Sequence, residues 1–134
     1  MAEKKEEKKT KKKNSRKRTH VPSGRIYIQS TYNNTIITAT DLKGNVVAWS
    51  SAGRIGYSGA KKATPYAAQE IIRDLAQKLE PYGMKEAVVF VKGIGGARES
   101  AIRSLGVHGL VVTSIKDMTP IPHNGTRAPR PRRV

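Results

Sequence analysis

The chain has 134 residues, room for one domain, and carries 26 Lys and Arg against 10 Asp and Glu, a net charge of +16. Such an imbalance points to a polyanionic partner, with nucleic acid ahead of an anionic membrane surface. The absence of cysteine excludes disulfide staples and cysteine-ligated zinc, and the sequence shows neither a secretory signal nor an apolar run suited to a membrane span.

Residues 1–20 hold ten basic and three acidic side chains, and from Glu3 to His20 none is apolar. A segment that cannot bury surface cannot offset the entropy of ordering, so a disordered basic extension is predicted. Residues 21–115 form the predicted core. Arg25 to Tyr32 alternates and is rich in strand formers. Asn33-Asn34 is a turn pair, and Thr35 to Asp41 is the hairpin partner. Lys43-Gly44-Asn45 marks a second turn before a third strand, Val46 to Ser50. Residues 51–64 read as a glycine-bearing loop or helix lead-in. Thr64-Pro65 is an N-cap followed by proline at the first helical position. Ala68, Ile71, Ile72, Leu75, Ala76 and Leu79 then form one apolar helical stripe, ended by Pro81 and Gly83. Ala87 to Val91 reads as a buried parallel strand. After the glycine-rich turn Lys92 to Arg98, a short helix from Arg98 to Leu105 buries Ala101, Ile102 and Leu105, with Gly106 near its C-cap. Leu110 to Ile115 is the last strand. The order βββαβαβ predicts an α/β fold, a mixed five-stranded sheet with right-handed crossovers placing helices on its faces. Residues 116–134 hold five basic residues, one acidic residue and four of the seven prolines. They are predicted to be an extended, irregular tail.

Three segments are candidates for binding a polyanion. The loop from Ser51 to Lys62 combines three glycines with Arg54, Lys61 and Lys62, plus Tyr57 as a stacking side chain. The turn Gly93-Ile94-Gly95-Gly96-Ala97 sits between a strand and a helix. It suits either a tight structural turn or backbone contact with a phosphate, helped by Lys92 and Arg98. The tail spaces Arg127, Arg130, Arg132 and Arg133 with proline, beside His123 and Asn124, as suits a strand threading between phosphates. Asn124-Gly125 is also a candidate isoaspartate site.

Other chemistries fit poorly. The glycine turn lacks the Gly-Lys-Ser/Thr of a phosphate-binding loop, so no nucleotide cofactor is expected. His20, His108 and His123 lack metal-ligand spacing. Glu70 and Asp74 lie beside Arg73 and Lys78 and read as surface ion pairs rather than a metal-nuclease centre. No catalytic residue, metal or cofactor is therefore assigned, and the chain is not expected to be an enzyme. The alternatives are a DNA-compacting basic protein and, further off, a metal-dependent nuclease.

Several segments carry a resemblance: Trp49 to Gly53, Lys61-Lys62 with Thr64 to Gln69, Arg98 to Arg103, and Thr119 to Gly125 with the closing Arg-Arg-Val. Together they resemble the family of the eleventh protein of the small ribosomal subunit, in its bacterial or organellar branch, from about residue 21 to the end. The resemblance implies a ribonuclease-H-like core without nuclease activity. It implies binding to 16S-type ribosomal RNA on the platform, bridging separate RNA helices near the messenger exit path and the Shine–Dalgarno cleft. Arg103 joins the RNA-binding candidates through this motif. The implied neighbours are small-subunit ribosomal proteins seven and eighteen, with initiation factor three a further one, and the implied location is a cytoplasmic or organellar ribosome. The chain departs from the family in three places. Its glycine turn lacks the usual alternating prolines, Thr126 stands where bacterial members commonly have cysteine, and the lysine-rich start is longer than usual.

Overall fold

The computed structural model describes residues 19–133; the predicted extension lies almost wholly outside them. The chain forms β1 (Ser23–Ser30), β2 (Thr35–Thr40) and β3 (Val46–Ser51), then α1 (Pro65–Leu79), β4 (Glu86–Lys92), α2 (Arg98–Val107) and β5 (Val111–Asp117). Short 3-10 turns cover Gly59–Ala63 and Glu80–Tyr82. The strands make one mixed sheet in the order β3-β2-β1-β4-β5. β1 pairs antiparallel with β2 and parallel with β4, and β4 pairs parallel with β5. This is the α/β sheet that the alternation predicts.

Boundaries move where side chains compete with the ladder. β1 ends at Ser30 rather than Tyr32, because the Thr31 hydroxyl accepts the N–H of Asn34 at 3.1 Å and locks a turn. Tyr32 is left 74% exposed despite its strand propensity. α1 starts as predicted: Pro65 is its first residue and the Thr64 hydroxyl accepts the Ala67 N–H at 3.3 Å. α2 runs past Gly106 to Val107, so the chain turns at His108-Gly109 instead.

Both helices lie on one face of the sheet, not on both. The connections β3-α1-β4 and β4-α2-β5 cross the sheet in the same direction, so a common right hand puts both helices on the same side. Burial agrees. Ile26, Ile28, Ile37, Ala39, Val89 and Val91 are buried with Ala67, Ala68, Ile71, Ile72, Leu75 and Leu79 of α1 and Ala101 and Leu105 of α2. Ala76 and Ile102, expected in this core, are only half-buried, while Ala67 is fully buried. The helices are joined by Ser100 Oγ donating to the Pro65 carbonyl at 2.9 Å.

The opposite sheet face is open, which corrects the reading of β4 as a wholly buried strand: Val88 and Phe90 are half-exposed between buried Ala87, Val89 and Val91. At the edge, Ser50 Oγ donates to Asp74 Oδ2 at 2.6 Å, and Lys78 Nζ lies 2.6 Å from the same oxygen. Burial works against ionisation of Asp74, but these two partners hold its carboxyl below the usual range. Arg73 lies 4.0 Å from Glu70. Both acids are therefore ion-paired, as their spacing predicts. Among the described residues no three His, Asp or Glu side chains converge as a metal site would need.

Candidate nucleic-acid interface

The glycine turn after β4 lies against the β1–β2 turn. Gly93 has φ +104, and a Cβ there would run into the Ser30 carbonyl oxygen. A Cβ at Gly95 would run into the Ser30 hydroxyl and sit 2.5 Å from the Thr31 carbonyl oxygen. Glycine is needed at both positions by this close backbone approach. Their N–H groups are also engaged inside the chain: Gly95 donates to Ser30 O at 3.1 Å and Gly93 to Thr119 Oγ1 at 3.2 Å. Of the two readings the sequence leaves open for this turn, the geometry supplies the structural one in full. Lys92, Ile94 and Gly96 remain on its exposed side.

Arg98 is drawn into the same assembly. Its Nη1 donates to the Gly93 carbonyl at 2.7 Å and its Nη2 to Asp117 Oδ2 at 2.8 Å. Asp117 Oδ1 in turn accepts from the Thr119 hydroxyl at 2.6 Å and the Thr119 N–H at 3.0 Å. The glycine turn, the end of β5 and the root of the tail are thus one clamp. The Thr119 hydroxyl and the Arg98 guanidinium hold the Asp117 carboxyl well below the usual carboxylate range.

That depression fixes a pH dependence. A carboxyl that is more acidic when folded adds stability above its unfolded pKa of about 3.9, and loses it as pH falls through the folded value. Asp117→Asn is therefore less stable than the parent at neutral pH. The difference holds down to about pH 4 and closes below it, read from urea midpoints across a pH series. A constant difference down to the most acid pH would show that the clamp does not depend on the charge.

The second loop leaves β3 through a turn at buried Ala52 and enters the 3-10 turn carrying Lys61 and Lys62. The Arg54 guanidinium lies 5.0 Å over the Trp49 ring. Tyr57, read as a stacking residue, meets Tyr66 edge-on at 6.4 Å. Burial, then the neighbouring Tyr66 and Glu70, raises its hydroxyl pKa. On α2, Arg103 sits 3.8 Å from Glu99, both more than four-fifths exposed. A solvated pair of that kind contributes little and leaves the arginine available.

Among the described residues beyond Asp117 there is no regular secondary structure, and residues 120–133 are all exposed. His123, Arg127, Arg130, Arg132 and Arg133 are exposed along this irregular segment, and Asn124 adopts a left-handed φ of 62 before Gly125. The structure thus gathers Lys92, Gly93, Gly95 and Arg98 at the root of the tail. It gathers Arg54, Lys61 and Lys62 in the loop after β3, and leaves the tail arginines exposed outside every helix and strand. The clamp partners Asp117 and Thr119 escaped the sequence reading. Their signal was present, since an aspartate two residues before a threonine at the start of a proline-rich stretch is an Asx-turn pattern.

Among the described residues, the α/β core presents exposed cations and a tail rooted at the sheet, and no three acidic or histidine side chains converge. Such an arrangement suits a structural protein that binds a polyanion. Residues 24–133 match the family model for ribosomal protein S11. The chain is 54% identical over 125 residues to the small ribosomal subunit protein uS11 of Treponema pallidum strain Nichols, and equally to that of a second strain of the same organism. Each match covers 93% of this chain and 98% of the relative. The chain belongs to the ribosomal protein S11 family. It is a structural component of the small ribosomal subunit, acts in translation, and is not an enzyme. Its partners are accordingly the small subunit's 16S-type RNA and other ribosomal proteins. No described helix is long and apolar enough to cross a membrane.

Proposed function

We propose that the chain bridges separate helices of small-subunit ribosomal RNA on the platform, near the messenger exit path and the Shine–Dalgarno cleft. Ribosomal proteins seven and eighteen, and initiation factor three, are its proposed neighbours there. The observation that carries this reading is the tail: exposed at every residue from 120 to 133, yet rooted at Asp117 and Thr119. A strand fixed at one end and free along its length can follow a second RNA helix while the core sits on the first.

Roles divide accordingly. Arg127, Arg130, Arg132 and Arg133 neutralise phosphates, with His123 and Asn124 at the tail's bend. Arg54, Lys61, Lys62, Lys92 and Arg103 contact RNA from the core. Gly93, Gly95 and Arg98 act chiefly by aiming the tail. Hydroxyl-radical footprinting of small-subunit RNA should then show protections in at least two helices distant in sequence. Removal of residues 118–134 should erase one cluster and keep the other. Protection of a single helix, unchanged by truncation, would refute bridging.

A further inference from the structure

No element covers the helix-free face of the sheet among the described residues. One cross-strand row spans it: Trp49, Thr38, Tyr27, Phe90 and Lys116, each the register partner of the next. Tyr27 and Phe90 are stacked, with centroids 5.1 Å apart and planes 14° from parallel. Lys116 Nζ and the Arg25 guanidinium carbon each lie 5.9 Å from the Phe90 centroid. At the other end Arg54 covers Trp49, which is 46% exposed. Only the small Thr38 stands between Tyr27 and Trp49. Their strands are two steps apart, roughly twice the ~4.8 Å strand spacing, which leaves room for a flat ring above the threonine. Beside the row, a groove of about 310 Å³ lined by Tyr27, Gln29, Phe90, Lys92 and Met118 continues toward the glycine turn.

We propose that this face is a stacking platform for unpaired nucleotides of ribosomal RNA. Aromatic rings offer sequence-tolerant stacking to a base, and the flanking Arg25, Arg54, Lys92 and Lys116 offer neutralisation to its phosphates. Glu86 is the acid on this face of β4, at the end away from Lys92. Asp117 is turned to Arg98. A paired duplex presents no free base face, so the occupant is single-stranded. The chain's own lysine-rich start carries the same sign of charge as the platform and so lacks the complementarity an occupant needs. The proposal rests on the reading of the chain as an RNA binder and adds which form of RNA this face takes.

Trp49 is the sole tryptophan, so its fluorescence reports on the platform directly. Full-length protein is titrated with single-stranded octa-adenylate and with an RNA duplex of equal phosphate count. The single strand should quench Trp49 and the duplex should not. Tyr27→Leu, which keeps apolar bulk, should weaken binding of the single strand by about 5–100-fold without changing its salt slope, and Tyr27→Phe should restore it. Equal quenching by duplex, or full binding by Tyr27→Leu, would overturn the platform. Either result with a steep salt slope intact would leave RNA binding standing. A flat slope would instead remove the RNA reading itself.

Discussion

Gly93→Ala should lower the unfolding free energy by about 2–6 kcal/mol, the largest expected loss from any single methyl group in the glycine turn. Two costs combine. A non-glycine residue at φ +104 bears roughly 1–3 kcal/mol of backbone strain. The added Cβ also meets the Ser30 carbonyl, part of the backbone and unable to swing aside. Gly95→Ala should cost about 1–3 kcal/mol through its contacts with Ser30 and Thr31 alone. Gly96→Ala is the internal control. Nothing lies within 4 Å of its Cβ position, so its effect should stay within about 0.5 kcal/mol. Urea midpoints at unchanged m-value measure all three. If Gly93→Ala and Gly96→Ala unfolded together, the close approach to Ser30 would not explain the glycine.

Replacing Arg127, Arg130, Arg132 and Arg133 together with glutamine should lower the slope of log affinity against log salt by about 3. Each phosphate contact contributes roughly 0.7–0.9 to that slope. At 100 mM salt the same arithmetic gives an affinity loss of about 10³-fold for small-subunit RNA. The loss should be nearly uniform across RNA sequences, because phosphate contacts position a chain without reading bases. The folded core should be unaffected, since these four side chains are exposed and lie outside every helix and strand. Filter binding across a salt series reads both quantities. An unchanged slope would move the RNA contacts from the tail to the core loops.

Local sequence pattern reveals local structure here, and fails where the deciding partner lies elsewhere in the chain. Thr64-Pro65 and the stripe from Ala68 to Leu79 carry their own helix signal, and α1 forms where they place it. The alternation of Arg25 to Gln29 likewise fixes which side chains face the helices. Neither pattern contains the strand order, so the restriction of both helices to one sheet face could not be read from it. The same holds for the candidate site. A glycine-rich turn before a helix is equally consistent with cradling a phosphate and with packing against another backbone. The packing partner is Ser30, far away in sequence and adjacent in the sheet, and no local pattern names it. The ion pair of Arg98 was hidden because Asp117 lies nineteen residues further on, in the last strand. Tail exposure, by contrast, was legible: four prolines and no apolar periodicity left it nothing to pack with.

The proposed mode of binding is neutralisation of small-subunit RNA phosphates from a rooted, exposed tail and two core loops. A salt titration of the unsubstituted protein with small-subunit ribosomal RNA tests it most directly. With eight to ten phosphates contacted, affinity should fall about 10³–10⁵-fold between 50 and 200 mM salt. An affinity that stays flat over that range would contradict it.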